Sequence, residues 1–111
     1  MSAAHYKLDN LCVIVDRNHI GVDGYTEELM SLEPLKDKWE AFGWDVTAID
    51  GHDIGQIREA FSGFPSNTGK PQAILATTVK GKGVSFMEDR NEWHYGTCTP
   101  EQTEAALKEI G

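Results

Sequence analysis

Leu11-Cys12-Val13-Ile14-Val15-Asp16-Arg17-Asn18 is the stretch that decides the fold. An unbroken apolar run from Leu11 to Val15 stops at a polar triplet. A short run that is apolar on both faces is the pattern of a strand inside a parallel sheet, because helices cover both sides of such a strand. Two later segments repeat the theme. Trp44–Ile49 alternates in part and is rich in β-formers, and Gln72-Ala73-Ile74-Leu75-Ala76-Thr77-Thr78 is again apolar nearly throughout.

Helical segments separate these strands. Leu35, Trp39 and Phe42 recur at the spacing of one helix face, with Pro34 suited to the first turn and Gly43 to the stop. Asp50-Gly51 turns the chain. Asp53 then reads as an N-cap with Gln56 as its capping-box partner, followed by Ile54, Ile57, Phe61 and Phe64 on one face. Thr99-Pro100-Glu101-Gln102 opens a last helix in the same way, with Ala106, Leu107 and Ile110 as its apolar side. Strands alternating with helices predict an α/β fold of three layers: a parallel sheet with helices on both faces. Ligands of such sheets bind beyond the carboxyl ends of the strands. Two irregular loops start there, one from Asp16 to Ser31 and one at Val79-Lys80-Gly81-Lys82-Gly83.

Composition narrows the function. The 111 residues make one domain at most. A net charge of −8 argues against a general nucleic-acid binder, which needs a cationic face. No apolar stretch approaches the ~18 residues of a membrane span, and the start lacks the pattern of a secretory signal. Two cysteines, Cys12 and Cys98, make no disulfide framework. A cytoplasmic location is expected. His5, His19 and His52 show no zinc spacing, and no Gly-x-x-x-x-Gly-Lys-Ser/Thr phosphate loop is present.

Three segments together resemble the thiamine-diphosphate-binding domain of transketolase. They are Leu8 through Asn18, Asp50-Gly51-His52-Asp53, and Thr78-Val79-Lys80-Gly81-Lys82-Gly83-Val84-Ser85-Phe86-Met87-Glu88 leading to Glu92-Trp93-His94. The likeness runs over almost the whole chain and is closest to the split bacterial and archaeal form, as part of its N-terminal subunit. It implies that Asn18 matches the Asn that ends the family's diphosphate motif and ligates Mg²⁺ through its side-chain oxygen. Ile20 would ligate through its backbone carbonyl. Hard cations such as Mg²⁺ favour oxygen donors of this kind. The resemblance further places Lys80 near the cofactor's diphosphate and the sugar. It places His94, as a cofactor-binding and catalytic residue, beside the thiazolium ring. On residue type alone, Asn18 is a turn-forming residue after a strand, Lys80 a solvated lysine and His94 a loop histidine.

The implied activity is that of part of a transketolase: transfer of a two-carbon ketol unit between sugar phosphates with thiamine diphosphate and Mg²⁺. The implied partners are sugar phosphates and a pyrimidine-binding C-terminal subunit, in a homo- or hetero-oligomer. The likeness begins partway through the family domain, so residues 1–111 are expected to be a partial domain lacking the upstream Gly-Asp-Gly half and its anionic metal ligand. The isolated chain is therefore expected to hold cofactor and metal weakly and to be inactive, and its first strand to lie at a sheet edge. The alternatives are a related thiamine-diphosphate enzyme of the deoxyxylulose-phosphate or dihydroxyacetone synthase kind, and a non-catalytic α/β interaction fragment.

Overall fold

A computed structural model describes residues 1–111. In chain order the elements are α1 (Ser2–His5), β1 (Cys12–Arg17), α2 (Thr26–Leu29), α3 (Leu35–Ala41), β2 (Asp45–Asp50), α4 (Ile54–Ser62), β3 (Gln72–Thr77), a 3₁₀ turn (Asn91–His94) and α5 (Pro100–Ile110). The chain divides into two compact units. One comprises Met1–Arg17 and Leu32–Thr78, the other Asn18–Ser31 and Val79–Gly111.

The first unit holds the sheet. Its three strands are all parallel in the order β1-β3-β2, with Cys12 and Asp45 both in register with Gln72 and Arg17 and Asp50 with Thr77. The α/β expectation holds. The most apolar segment takes the centre: Ala73, Ile74, Leu75 and Ala76 of β3 are all buried. The two strands it separates are less covered, since each has one neighbour only. The run Leu11–Val15, apolar on both faces, forms the edge strand β1, and Ile14 is 58% exposed. The strand also runs to Arg17, two residues past the apolar run, because the ladder to β3 continues to Thr77. The hydroxyl of Thr78 donates to the Asp16 carboxylate and ties the two strand ends together.

α3 and α4 both pack on β2. Trp39 of α3 meets Trp44 edge-to-face, with ring centroids 4.8 Å apart. Gly43 ends this helix with φ +87°, a conformation that disfavours any side chain. Asp53 caps α4 by accepting from the amides of Gly55 at 2.7 Å and Gln56 at 3.1 Å. The predicted reciprocity is altered. Gln56 reaches past the cap to accept from the Asp50 amide at 2.9 Å, and its NH₂ donates to the Asp53 carboxylate. The predicted apolar faces are only partly covered: Phe42 of the first helical segment and Ile54 and Phe61 of α4 remain exposed.

The second unit carries α2, the 3₁₀ turn and α5. α5 has the full capping box, Thr99 and Gln102 each bonding the other's backbone amide. Its predicted apolar residues Leu107 and Ile110 are exposed, and Ala106 is half-buried. α2 falls inside the stretch read as irregular loop, since Thr26-Glu27-Glu28-Leu29 is too short to show a helical period. No helix is long and apolar enough to cross a membrane.

Candidate functional site

All four predicted site residues fall in the second unit. Asn18 directly follows β1, and Lys80 lies three residues past β3. These strands are neighbours, so both loops leave from adjacent carboxyl ends.

Asn18 opens its loop with an Asx turn: its side-chain oxygen accepts from the Ile20 amide at 3.0 Å. His19 lies between them at φ +62°, a region that costs a branched or bulky residue free energy. The loop then pairs with itself. Thr26 N–H donates to the His19 carbonyl at 2.9 Å and Gly21 N–H to the Gly24 carbonyl at 2.7 Å, which sets Ile20 opposite Tyr25. The Ile20 carbonyl itself accepts no hydrogen bond. Asn18 Oδ1 and the Ile20 carbonyl are thus two neutral oxygens two residues apart.

The Lys80 loop is a compact set of turns. Lys82 N–H donates to the Val79 carbonyl, Val84 N–H to that of Gly81, and Asp89 N–H to that of Lys80 at 3.1 Å. Gly81 has φ +71°, and a Cβ there would lie 2.7 Å from the backbone of Met87. Only glycine lets the two halves of the loop approach so closely. Glu88 closes the turn, accepting from Gly83 N–H at 3.0 Å and pairing with Lys82 at 3.9 Å. Lys82 is therefore the structural lysine. Lys80 is half-buried, and its ammonium makes no ion pair or hydrogen bond with the protein. α5 anchors the loop: Glu109 accepts from both the amide (2.5 Å) and the hydroxyl (2.9 Å) of Ser85, and these bonds hold its carboxyl below the usual range.

His94 ends the 3₁₀ turn, exposed, with Tyr95 edge-on at 4.6 Å. Trp93 fixes this turn by donating from Nε1 to the Phe86 carbonyl at 2.9 Å, with the two rings 5.5 Å apart. Asn91 fixes it to the other loop by donating from its amide to the Val22 carbonyl at 3.2 Å. Sequence reasoning singles out neither Asn91, Glu109 nor Phe86. Their partners are not placed by any spacing rule, and only the folded loops bring them together. No three His, Cys, Asp or Glu side chains gather into a metal cage.

A three-stranded, all-parallel sheet whose strands alternate with helices defines the class, a parallel α/β fold. Within that class the chain belongs to the transketolase family: residues 1–111 match the family described as "Transketolase, thiamine diphosphate binding domain". It is 46% identical over 110 residues to an apulose-4-phosphate transketolase subunit of Phocaeicola vulgatus, covering 99% of this chain and 39% of that protein. It is 44% identical to the 6-deoxy-6-sulfo-D-fructose transketolase subunit SqwG of a Clostridium species, with 99% and 40% covered. The chain thus spans about two fifths of the length of these relatives. The structure superposes on transketolase from Campylobacter jejuni with a TM-score of 0.89 and 32% identity, over 99% of this chain and 17% of that one.

Proposed function

We propose that this chain forms the diphosphate-and-metal side of a ketol-transferring enzyme that works with thiamine diphosphate and Mg²⁺. The observation that carries the reading is the pair of unengaged groups on adjacent loops: the bare carbonyl of Ile20 beside Asn18, and the unpaired ammonium of Lys80. Their chemistry fits the cofactor. Two neutral oxygens suit a hard cation whose charge is balanced by diphosphate oxygens, and a free ammonium at half-buried depth suits a phosphate. Asn18 and Ile20 would hold Mg²⁺, and Lys80 would neutralise the diphosphate or the substrate's anionic end. His94, exposed on a turn braced by Trp93 and Asn91, would hydrogen-bond the sugar and move a proton at its hydroxyl. When bound, the cofactor would supply the nucleophilic carbon and the electron sink that ketol transfer needs.

The relatives named as transketolases of apulose 4-phosphate or of a sulfo-sugar point to a ketose with an anionic terminus as donor. Their designation as subunits points to a second chain supplying the pyrimidine side. Two neutral oxygens hold a hard cation only loosely, so this chain by itself is expected to bind weakly and not to turn over.

Backbone and side-chain NMR shifts test this. Thiamine diphosphate and Mg²⁺ added together, to millimolar concentration, should move the signals of Asn18, Ile20, Lys80–Gly83 and His94. Either alone, or unphosphorylated thiamine with Mg²⁺, should not. At that strength association is worth about 4 kcal/mol. Shifts confined elsewhere, no shifts, or the same shifts with thiamine overturn the reading; micromolar binding overturns the expectation of weak affinity.

A further inference from the structure

We propose that Arg17 and Glu33 form a clasp that sets the conformation of the Asn18–Ser31 loop, making both of them positioning residues for Asn18 and Ile20. The role in metal placement rests on the proposed cofactor site; the clasp itself does not.

Arg17 is the last residue of β1, the residue immediately before Asn18. It is 6% exposed, which is unusual for an arginine and marks a side chain held in place rather than solvated. Its Nε and Nη2 both donate to one carboxylate oxygen of Glu33, at 3.1 and 3.0 Å. Glu33 lies just past the far end of the loop, 16 residues on. Its second carboxylate oxygen accepts from the Leu35 amide at 2.8 Å, at the start of α3. Lys38 of α3 donates to the carbonyls of Leu32 at 2.8 Å and Glu33 at 3.2 Å. One carboxylate thus joins the end of a strand to the start of a helix, and a lysine from that helix grips the backbone where the loop returns.

The geometry has a consequence for the loop. A segment of this length gains freedom when its ends can separate, and fixing both ends removes it. Within the loop, the Asx turn at Asn18 and the positive φ of His19 must be maintained by a few backbone bonds. Strained backbone of this kind persists when its surroundings over-determine it. A guanidinium fork is also directional in a way that an ammonium is not, so it holds the distance across the base of the loop more firmly.

Hydrogen exchange on the full chain tests the clasp without any cofactor. In Glu33→Gln, which keeps an acceptor for the Leu35 amide but removes the charge, the Gly21 and Thr26 amides should exchange about tenfold faster or more, while the β3 amides keep their rates. Arg17→Lys, which keeps the charge and loses the fork, should give the same local loosening to a smaller degree. Loop rates unchanged in both variants, or loop and β3 accelerated equally, would overturn the proposal, the latter because it marks a general loss of stability. A parallel titration with Mg²⁺ and thiamine diphosphate separates the two ideas. If the variants loosen the loop but wild type shows no loop shifts with cofactor, the clasp stands and the cofactor reading falls. If wild type responds and Glu33→Gln needs the same cofactor concentration, the positioning role falls.

Discussion

The side-chain amide of Asn91 donates to the backbone carbonyl of Val22 at 3.2 Å, joining two loops 69 residues apart in sequence. Val22 lies two residues past Ile20, and Asn91 begins the turn that ends at His94. The bond therefore couples the segment carrying Asn18 and Ile20 to the segment carrying His94. It is solvent-exposed, so Asn91→Ala should cost at most about 1 kcal/mol of stability. Its effect should instead be local. The amide signals near Val22 and those of Trp93 and His94 should shift together in the variant, and β3 should not. An unchanged Val22 environment would show that the turn is held without this bond.

Gly81 offers a sharper test of the Lys80 loop. Its φ of +71° and the 2.7 Å approach of an added Cβ to Met87 backbone atoms impose two separate penalties on Gly81→Ala. The left-handed conformation alone costs about 1–2 kcal/mol, and the opposing backbone cannot swing aside like a flexible side chain. Urea denaturation should show a loss of roughly 2 kcal/mol or more. Gly63→Ala is the control: no atom lies within 4 Å of its added carbon, its φ is −92°, and the change should be small.

These positions show what sequence reading reaches and where it stops. The three strands are legible because apolar runs and helical spacing are local signals, and the caps at Asp53 and Thr99 because capping chemistry spans only three residues. The short α2 escapes because four residues carry no period. β1 lies at the sheet edge, as the resemblance implies, so its run apolar on both faces overstates its burial when read alone, and β3 takes the centre. At the site, Asn18, Ile20, Lys80 and His94 come from a family pattern. Arg17–Glu33, Asn91–Val22 and Glu109–Ser85 are pairings between distant residues, which only the folded chain brings together.

Acid should loosen the Lys80 loop through Glu109. Hydrogen bonds from the Ser85 amide and hydroxyl stabilise its carboxylate and lower its pKa from 4.5. A carboxyl whose folded pKa is depressed contributes stability that is fully present above the unfolded value and is lost as pH falls through the folded value. Between neutral pH and about 5 the Ser85 amide should therefore stay protected, and below the ordinary carboxyl range its exchange, corrected for the intrinsic pH dependence, should rise. Glu109→Gln should show faster exchange at neutral pH and a flatter profile in acid. A wild-type profile identical to that of the variant would mean that the carboxylate does not hold the loop.

Ile14 makes the edge of the sheet a liability. It is 58% exposed on a strand paired along one side only, within a run of apolar residues. Such an edge presents unpaired backbone donors and acceptors together with an apolar surface, the combination that recruits another strand. The isolated chain should therefore self-associate with rising concentration, and sedimentation velocity from low to high micromolar protein should show its weight-average size increase. Ile14→Lys places a charge on that strand and should suppress the increase. The side chain is already more than half in water, so the monomer should keep its stability within about 0.5 kcal/mol. Ile74→Ala is the contrasting case: Ile74 is 1% exposed in β3, and its truncation should cost about 2–5 kcal/mol by opening a cavity in the sheet's centre. If Ile14→Lys leaves the concentration dependence intact, association runs through another surface, and the exposed faces of α4 and α5 at Ile54, Leu107 and Ile110 become the ones to alter next.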